Sequence, residues 1–163
     1  LVLDADGLNA AAIGPKVLAE RTFATVITPH PGEMGRLLGR SSQEIQRDRL
    51  GSALEASRRY GCVTVLKGAN TLVVSPGGKV FINPLALPGL ATAGSGDVLT
   101  GAVASFLAQG AEPLLAAACG VYLHGKAAQI ASSVVGPVGF LAGDIVSHLP
   151  LALGGLLGRE ERR

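Results

Sequence analysis

Phe23-Ala24-Thr25-Val26-Ile27-Thr28-Pro29-His30-Pro31-Gly32-Glu33-Met34-Gly35-Arg36-Leu37-Leu38 decides the fold class. Phe23–Thr28 is an apolar, β-branched run that reads as a strand. Pro29–Gly32 ends it as a turn, and Glu33–Leu38 forms one or two helical turns. The same succession recurs on either side. Upstream, Leu1–Asp4 reads as a strand, followed by a turn at Asp6-Gly7 and a short helix over Asn9–Ala12. Downstream, Ser41-Ser42-Gln43-Glu44 fits a capping box that starts a helix running to about Arg59 and stopped by Gly61. Val63–Lys67 is a third strand. Thr71–Ser75 and Lys79–Asn83 flank Pro76-Gly77-Gly78 as a hairpin. After the loop Pro84–Gly94, helical patterns cover Gly96–Gln109 and Pro113–Val134, and a last helix begins near Gly143. Strands interleaved with helices imply a parallel α/β sheet covered on both faces.

The 163 residues fit a single domain, assigned to 1–158, with 159–163 a charged tail. Leu1-Val2-Leu3-Asp4 reads as a strand already under way, so the expectation is a domain whose earlier part is missing. A net charge of +2 is too balanced for a binder of phosphate backbones, which excludes nucleic acid as the expected partner. Mean hydropathy of +0.41 supplies a core, yet no apolar run reaches the roughly 20 residues a bilayer span needs. Aromatic residues are only 4%, so the core must be Leu, Val and Ala packing that lets helices lie close. Cys62 and Cys119 stand far apart in apolar runs, and a reduced, cytoplasmic chain is expected.

In such sheets ligands bind beyond the carboxyl ends of the strands. That places Asp4-Ala5-Asp6, Thr28–Glu33 and Lys67–Asn70 along one rim. Gly94-Ser95-Gly96-Asp97 precedes a helix whose free amides suit an anion such as a transferring phosphoryl group. Asp97, at the positive end of that helix, is favoured as a carboxylate and placed to take a proton from a substrate hydroxyl. A tight turn with an ordinary first-turn aspartate is the equal alternative. Lys67-Gly68-Ala69-Asn70-Thr71 suits a nucleotide's phosphates and ribose, or equally a strand-to-strand turn with a solvated lysine. Two prolines hold His30 extended. Asp4, Asp6 and Asn9 are a candidate set for Mg²⁺ through water, with local turn hydrogen bonding preferred. His124 reads as packing in an Ala-rich helix, and His148 carries no signal.

Four segments in order, Asp4-Ala5-Asp6-Gly7-Leu8-Asn9, Thr28-Pro29-His30-Pro31-Gly32-Glu33-Met34, Lys67-Gly68-Ala69-Asn70-Thr71 and Gly94-Ser95-Gly96-Asp97-Val98-Leu99-Thr100-Gly101, resemble the ADP-dependent NAD(P)H-hydrate dehydratases. Ala142-Gly143-Asp144 looks like that family's late small-residue–Asp segment. The resemblance spans nearly the whole chain. It implies a three-layer α/β/α sandwich with a mainly parallel central sheet, of the ribokinase-like superfamily and lacking its amino-terminal part. It also implies ADP-dependent dehydration of the S-epimer of NAD(P)H hydrate, giving NAD(P)H, AMP and phosphate. On that reading Asp97 is the base and a substrate contact, and Gly94, Ser95 and Gly96 form the anion hole. His30 contacts the substrate, and Lys67, Gly68, Ala69, Asn70, Thr71 and Gly96 bind the nucleotide. Mg²⁺ is implied without assignable ligands, as are a homo-oligomer and an epimerase domain or partner.

Two departures stand out. Leu85 and Leu87 replace polar or small residues of the family pattern, and Ala93 replaces a glycine. If Ala93 needed φ > 0, its methyl would cost about 1–2 kcal/mol. The alternatives are a vitamin or sugar kinase of the same superfamily, and a non-catalytic nucleotide-binding remnant with an exposed sheet edge at Leu1–Asp4.

Overall fold

Successive side chains on a strand point to opposite faces, and here both sets are apolar, so each face of the sheet must be covered. The computed structural model describes residues 1–157. Its five strands lie in the order β1 (Val2–Leu3), β2 (Val26–Ile27), β3 (Val63–Leu66), β4 (Leu72–Val74) and β5 (Val80–Ile82). Ile27, Leu66, Leu72 and Val74 pack into one core with α1 (Ala5–Ile13), α2 (Lys16–Ala19), α3 (Pro31–Leu38), α4 (Ser42–Arg47) and α5 (Arg49–Tyr60). Their neighbours Val26, Val63, Val65 and Val73 pack into a second with α6 (Ser95–Ala108) and α7 (Pro113–Val135). A third core, around Phe140 and Ile145, joins α7 to α8 (Ala142–Leu157). The result is the three-layer α/β/α arrangement.

The sheet is mixed. β1, β2 and β3 run parallel, with Val2 opposite Val26 and Val26 opposite Val63. β3–β4 and β4–β5 are antiparallel. The connection Lys67–Thr71 is too short for a crossover, which needs a dozen or more residues, so it must reverse the chain. The hairpin at Pro76-Gly77-Gly78 forms as the turn residues predict, with Val74 opposite Val80.

Three local expectations are corrected. No turn forms at Asp6-Gly7: α1 starts directly after Asp4, and Gly7 lies so close to β1 that a Cβ there would be 2.7 Å from Leu3 Cδ1. α2, with Leu18 buried, was not anticipated. The helix begun by the Ser41–Glu44 capping box does not run unbroken to Arg59. It breaks at Asp48 (φ −137°, ψ 72°), whose carboxylate accepts from the Gly51 amide at 2.9 Å and restarts the chain as α5. The charged tail 159–163 lies outside the described residues.

α6 and α7 approach closely. A Cβ on Gly120 would lie 2.6 Å from Val103 Cγ2 and 3.0 Å from the Val103 amide nitrogen. Among the described residues no helix is long and apolar enough to cross a membrane.

Candidate nucleotide and phosphoryl-transfer site

The carboxyl ends of the three parallel strands meet at one rim. Lys67 follows β3, and its Nζ lies 2.6 Å from Asp4 Oδ1, at the end of β1. It lies 3.7 Å from Glu33 Oε2, in the first turn of α3. Thr100 Oγ1, from α6, donates to Asp4 Oδ2 at 3.0 Å. The Asp4 and Glu33 side chains are only 10% and 6% exposed, so an uncompensated carboxylate would be costly at either position. Burial raises the Asp4 carboxyl, but the hydrogen bond and charge of Lys67 outweigh it, aided by the Ala5 amide and Thr100. Its pKa therefore falls below the ordinary value.

His30 is the N-cap of α3. Flanked by Pro29 and Pro31, it is extended (φ −81°, ψ 168°), and its Nδ1 accepts from the Gly32 and Glu33 amides at 2.9 and 3.3 Å. Glu33 completes a capping box, its Oε2 accepting from the His30 amide at 2.7 Å. With Nδ1 as acceptor, a neutral ring carries its proton on Nε2, which lies 3.4 Å from Glu33 Oε1.

Between this rim and α6–α7 lies a cavity of about 620 Å³. The Lys67–Ala69 turn and Thr71 form one side and Ser95 and Gly96 another. Leu85, Leu87 and Leu90 supply an apolar wall. Gly94, at φ 81°, opens α6, and the Ser95 amide donates to Thr92 O at 3.3 Å. Among the described residues the Gly96 and Asp97 amides donate to no acceptor. A Cβ on Gly96 would lie 3.3 Å from Asp4 Oδ2 and 3.5 Å from Lys67 Nζ, so the two motifs face one another. Ala93 has no positive φ, and the cost conditional on that geometry does not arise: the left-handed residue is Gly94.

Asp97 sits in the first turn of α6, exposed, outside the lining of the cavity and hydrogen-bonded to no side chain among the described residues. Asn70 is also exposed, in the left-handed region at φ 53°. Beneath its turn the Arg49 guanidinium donates to Leu66 O at 3.2 Å and to Lys67 O at 3.4 Å. His124, expected to be mere packing, lines the cavity, with Nε2 3.2 Å from Ser95 Oγ. Asp4, Glu33 and Thr100 were also missed as members of one polar cluster. A lysine at the buried end of a central strand needs carboxylates from the neighbouring strand ends, and that requirement could have found the first two.

The Asp4–Asp6–Asn9 set is dispersed. Asp4 is taken by Lys67 and Thr100, Asn9 Nδ2 donates to Asp6 at 3.4 Å, and Asn9 Oδ1 accepts from Arg36 at 2.9 Å. Among the described residues no group of three or more His, Cys, Asp or Glu could hold a metal. These residues do not form a Mg²⁺ cage.

A family model described as NAD(P)H-hydrate dehydratase matches residues 1–151. The chain belongs to the NAD(P)H-hydrate dehydratase family. It is 49% identical over 152 residues to the bifunctional NAD(P)H-hydrate repair enzyme Nnr of Moorella thermoacetica, covering 93% of this chain and 29% of that protein. It is 43% identical over 148 residues to the ADP-dependent (S)-NAD(P)H-hydrate dehydratase of Neisseria meningitidis, covering 89% of this chain and 50% of that one. This family member superposes with a TM-score of 0.80 on the ADP/ATP-dependent NAD(P)H-hydrate dehydratase of Bacillus subtilis co-crystallised with ATP/Mg²⁺. Identity there is 32%, over 94% of this chain and 53% of the other. The fold is ribokinase-like: the chain also superposes, with a TM-score of 0.76 and 26% identity over 94% of its length and 52% of the other chain, on a ribokinase-like superfamily protein of Enterococcus faecalis. The chain thus spans half or less of the length of these curated relatives.

Proposed function

We propose that this chain carries the nucleotide and phosphoryl-transfer part of an ADP-dependent (S)-NAD(P)H-hydrate dehydratase, as the carboxyl-terminal part of one domain. The observation that carries the reading is the pair of amides at Gly96 and Asp97 without an acceptor among the described residues, at the start of a 14-residue helix whose Gly96 lies beside Lys67. A helix start with unpaired amides is built for anionic oxygen. Gly94, Ser95 and Gly96 make the anion hole, and Lys67, Gly68, Ala69, Asn70 and Thr71 with Gly96 hold the nucleotide.

Hydroxide is a poor leaving group, which is why a nucleotide is needed. Asp97 takes the proton of the hydrate's hydroxyl as that oxygen attacks the β-phosphorus of ADP. The bond from that phosphorus to the bridging oxygen breaks, and AMP departs. The ring nitrogen then pushes phosphate out while the carbon next to the departing group gives up a proton that the phosphate takes up, restoring the dihydropyridine. On this reading the hydrated ring reaches Asp97 from the solvent side of α6, and His30, which lines the cavity, contacts it. Mg²⁺ would arrive on the nucleotide's phosphates and neutralise their charge, since among the described residues no group of three or more His, Cys, Asp or Glu would hold it.

The reading expects a cytoplasmic reaction, in keeping with two unpaired cysteines, and an epimerase domain or partner supplying the S-epimer. Exposed Leu115, Tyr122, Leu151 and Leu156 suit a homo-oligomer. The test is incubation with the S-hydrate and ADP, following the absorbance of reduced nicotinamide and the release of AMP. Turnover that Asp97→Asn lowers by a thousandfold or more, with ADP binding retained, is the expected result. A phosphorylated vitamin or sugar made from ATP instead would sink the dehydratase reading, and ADP binding without turnover would leave only the remnant.

A further inference from the structure

Two buried polar side chains on the cavity wall are used by none of the steps above: that of Ser95, whose residue enters only as part of the anion-hole loop, and that of His124. Ser95 opens α6 and His124 lies in α7, one turn beyond Gly120. They are 5% and 7% exposed, and Ser95 Oγ lies 3.2 Å from His124 Nε2. Burial pushes the imidazole down to about 4, opposed in part by the Ser95 backbone, so the ring is neutral near pH 7. A neutral imidazole has one N–H and the hydroxyl one O–H. One of these two protons occupies the bond between the side chains, whichever ring nitrogen is protonated. The other remains. The buried side-chain atoms without a partner among the described residues are Ser52 Oγ and Thr64 Oγ1, not His124 Nδ1. Nδ1 has no hydrogen-bond partner among the described residues, and both Ser95 and His124 line the cavity. The next residue along from Ser95 is Gly96, whose amide is free.

We propose that Ser95 and His124 act as one unit that donates a side-chain hydrogen bond to a phosphate oxygen of the bound nucleotide, beside the Gly96 amide. This rests on the nucleotide reading above. Within the unit His124 is a positioning residue: it fixes the Ser95 hydroxyl and supplies the second proton. A neutral donor of this kind adds to the anion site without a cation that would compete with Lys67 for Asp4 and Glu33. If the pair were packing alone, its loss would weaken every ligand of the cavity alike.

The experiment is calorimetric titration of the wild-type chain, Ser95→Ala, His124→Leu and the double variant, each with ADP and with adenosine. Each single substitution is expected to weaken ADP by about tenfold to a hundredfold, the range of a hydrogen bond to a charged group. Adenosine, which lacks the phosphates, stays within about twofold. The double variant binds ADP no more weakly than the worse single one, because the two side chains act together. Unchanged ADP affinity, losses that multiply in the double variant, or a parallel fall for adenosine would each overturn the proposal. If His124→Leu does not fold, Ser95→Ala, which deletes one hydroxyl, decides the matter with the same two ligands. A wild-type chain that binds neither ligand overturns the nucleotide reading itself. Tight ADP binding indifferent to Ser95 overturns this inference alone.

Discussion

Lys67→Met removes the cation that holds Asp4 and Glu33 together while keeping most of the side chain's volume. Both carboxylates stay where the fold puts them, 10% and 6% exposed, with the Thr100 hydroxyl as the remaining side-chain donor to Asp4. Removing one partner of a buried ion pair costs about 3–5 kcal/mol. Lys67 is itself 19% exposed, which argues for the lower end, about 3 kcal/mol. For a domain of this size that is roughly 6–12 °C in Tm. The sign with pH follows from Asp4. In the wild type its folded pKa is lowered, so its stabilisation is full above the ordinary value of 3.8 and is lost as pH falls through the folded pKa. In the variant burial is opposed only by the Ala5 amide and Thr100, so the folded pKa moves up from its wild-type position and the stabilisation that Lys67 gave at neutral pH is missing, a difference that fades on acidification. Urea melts of both proteins at pH 7 and near pH 4.5 should therefore show a gap that narrows at the lower pH. Asp4→Asn added to Lys67→Met should recover part of the loss at pH 7. A gap under 1 kcal/mol at pH 7, or one that widens toward acid, would refute the view that Lys67 is a structural counter-ion as well as a nucleotide contact.

Other consequences are more local. His124 has a folded pKa of about 4 against an ordinary 6.5, so its contribution is full above pH 6.5 and declines as pH falls toward 4. The decline amounts to about 3 kcal/mol at 1.36 kcal/mol per unit, and His124→Gln should remove that part of the pH dependence of urea melts. Gly94→Ala places a methyl at φ 81°, 3.2 Å from Ala142 Cβ, and should destabilise by about 1–2 kcal/mol with weaker ADP binding, read by melts and calorimetry. Burial pushes the Cys62 thiol up to about 12, whereas Cys119 is exposed. A thiol reagent should modify one cysteine quickly in the native chain and both in denaturant, with mass spectrometry placing the first adduct on Cys119.

Signals carried by neighbouring residues were legible in the sequence. The Ser41–Glu44 capping box, the Gly61 stop and the Pro76-Gly77-Gly78 hairpin each depend on a few consecutive side chains meeting their own backbone, and each formed as read. The alternation of strands and helices likewise gave the layers. Two misreadings came from the opposite cause. Asp4 and Asp6 have the residue types of a local turn, but the Asp4 carboxylate is drawn across the sheet to Lys67, 63 positions away, and α1 begins at once. The run of helix-forming residues makes Asp48 an interior helical position, yet its side chain recaps the chain at Gly51. The candidate site followed the same division. The glycine turn and the Lys67 segment announced themselves, whereas the partnership of Ser95 with His124 depends on how α6 and α7 cross, which no run of consecutive residues encodes.

That crossing depends on a missing side chain. Because residue 120 presents only hydrogen toward Val103, the two rods rest main chain on main chain, and the imidazole a turn further on can span what remains of the gap. The phosphate-facing end of α6 is thus gauged by a spacer of zero thickness some 12 Å along the rod, at 1.5 Å per residue. A single methyl there would act like a shim, leaving every lining residue in place by name while shifting the alignment between them.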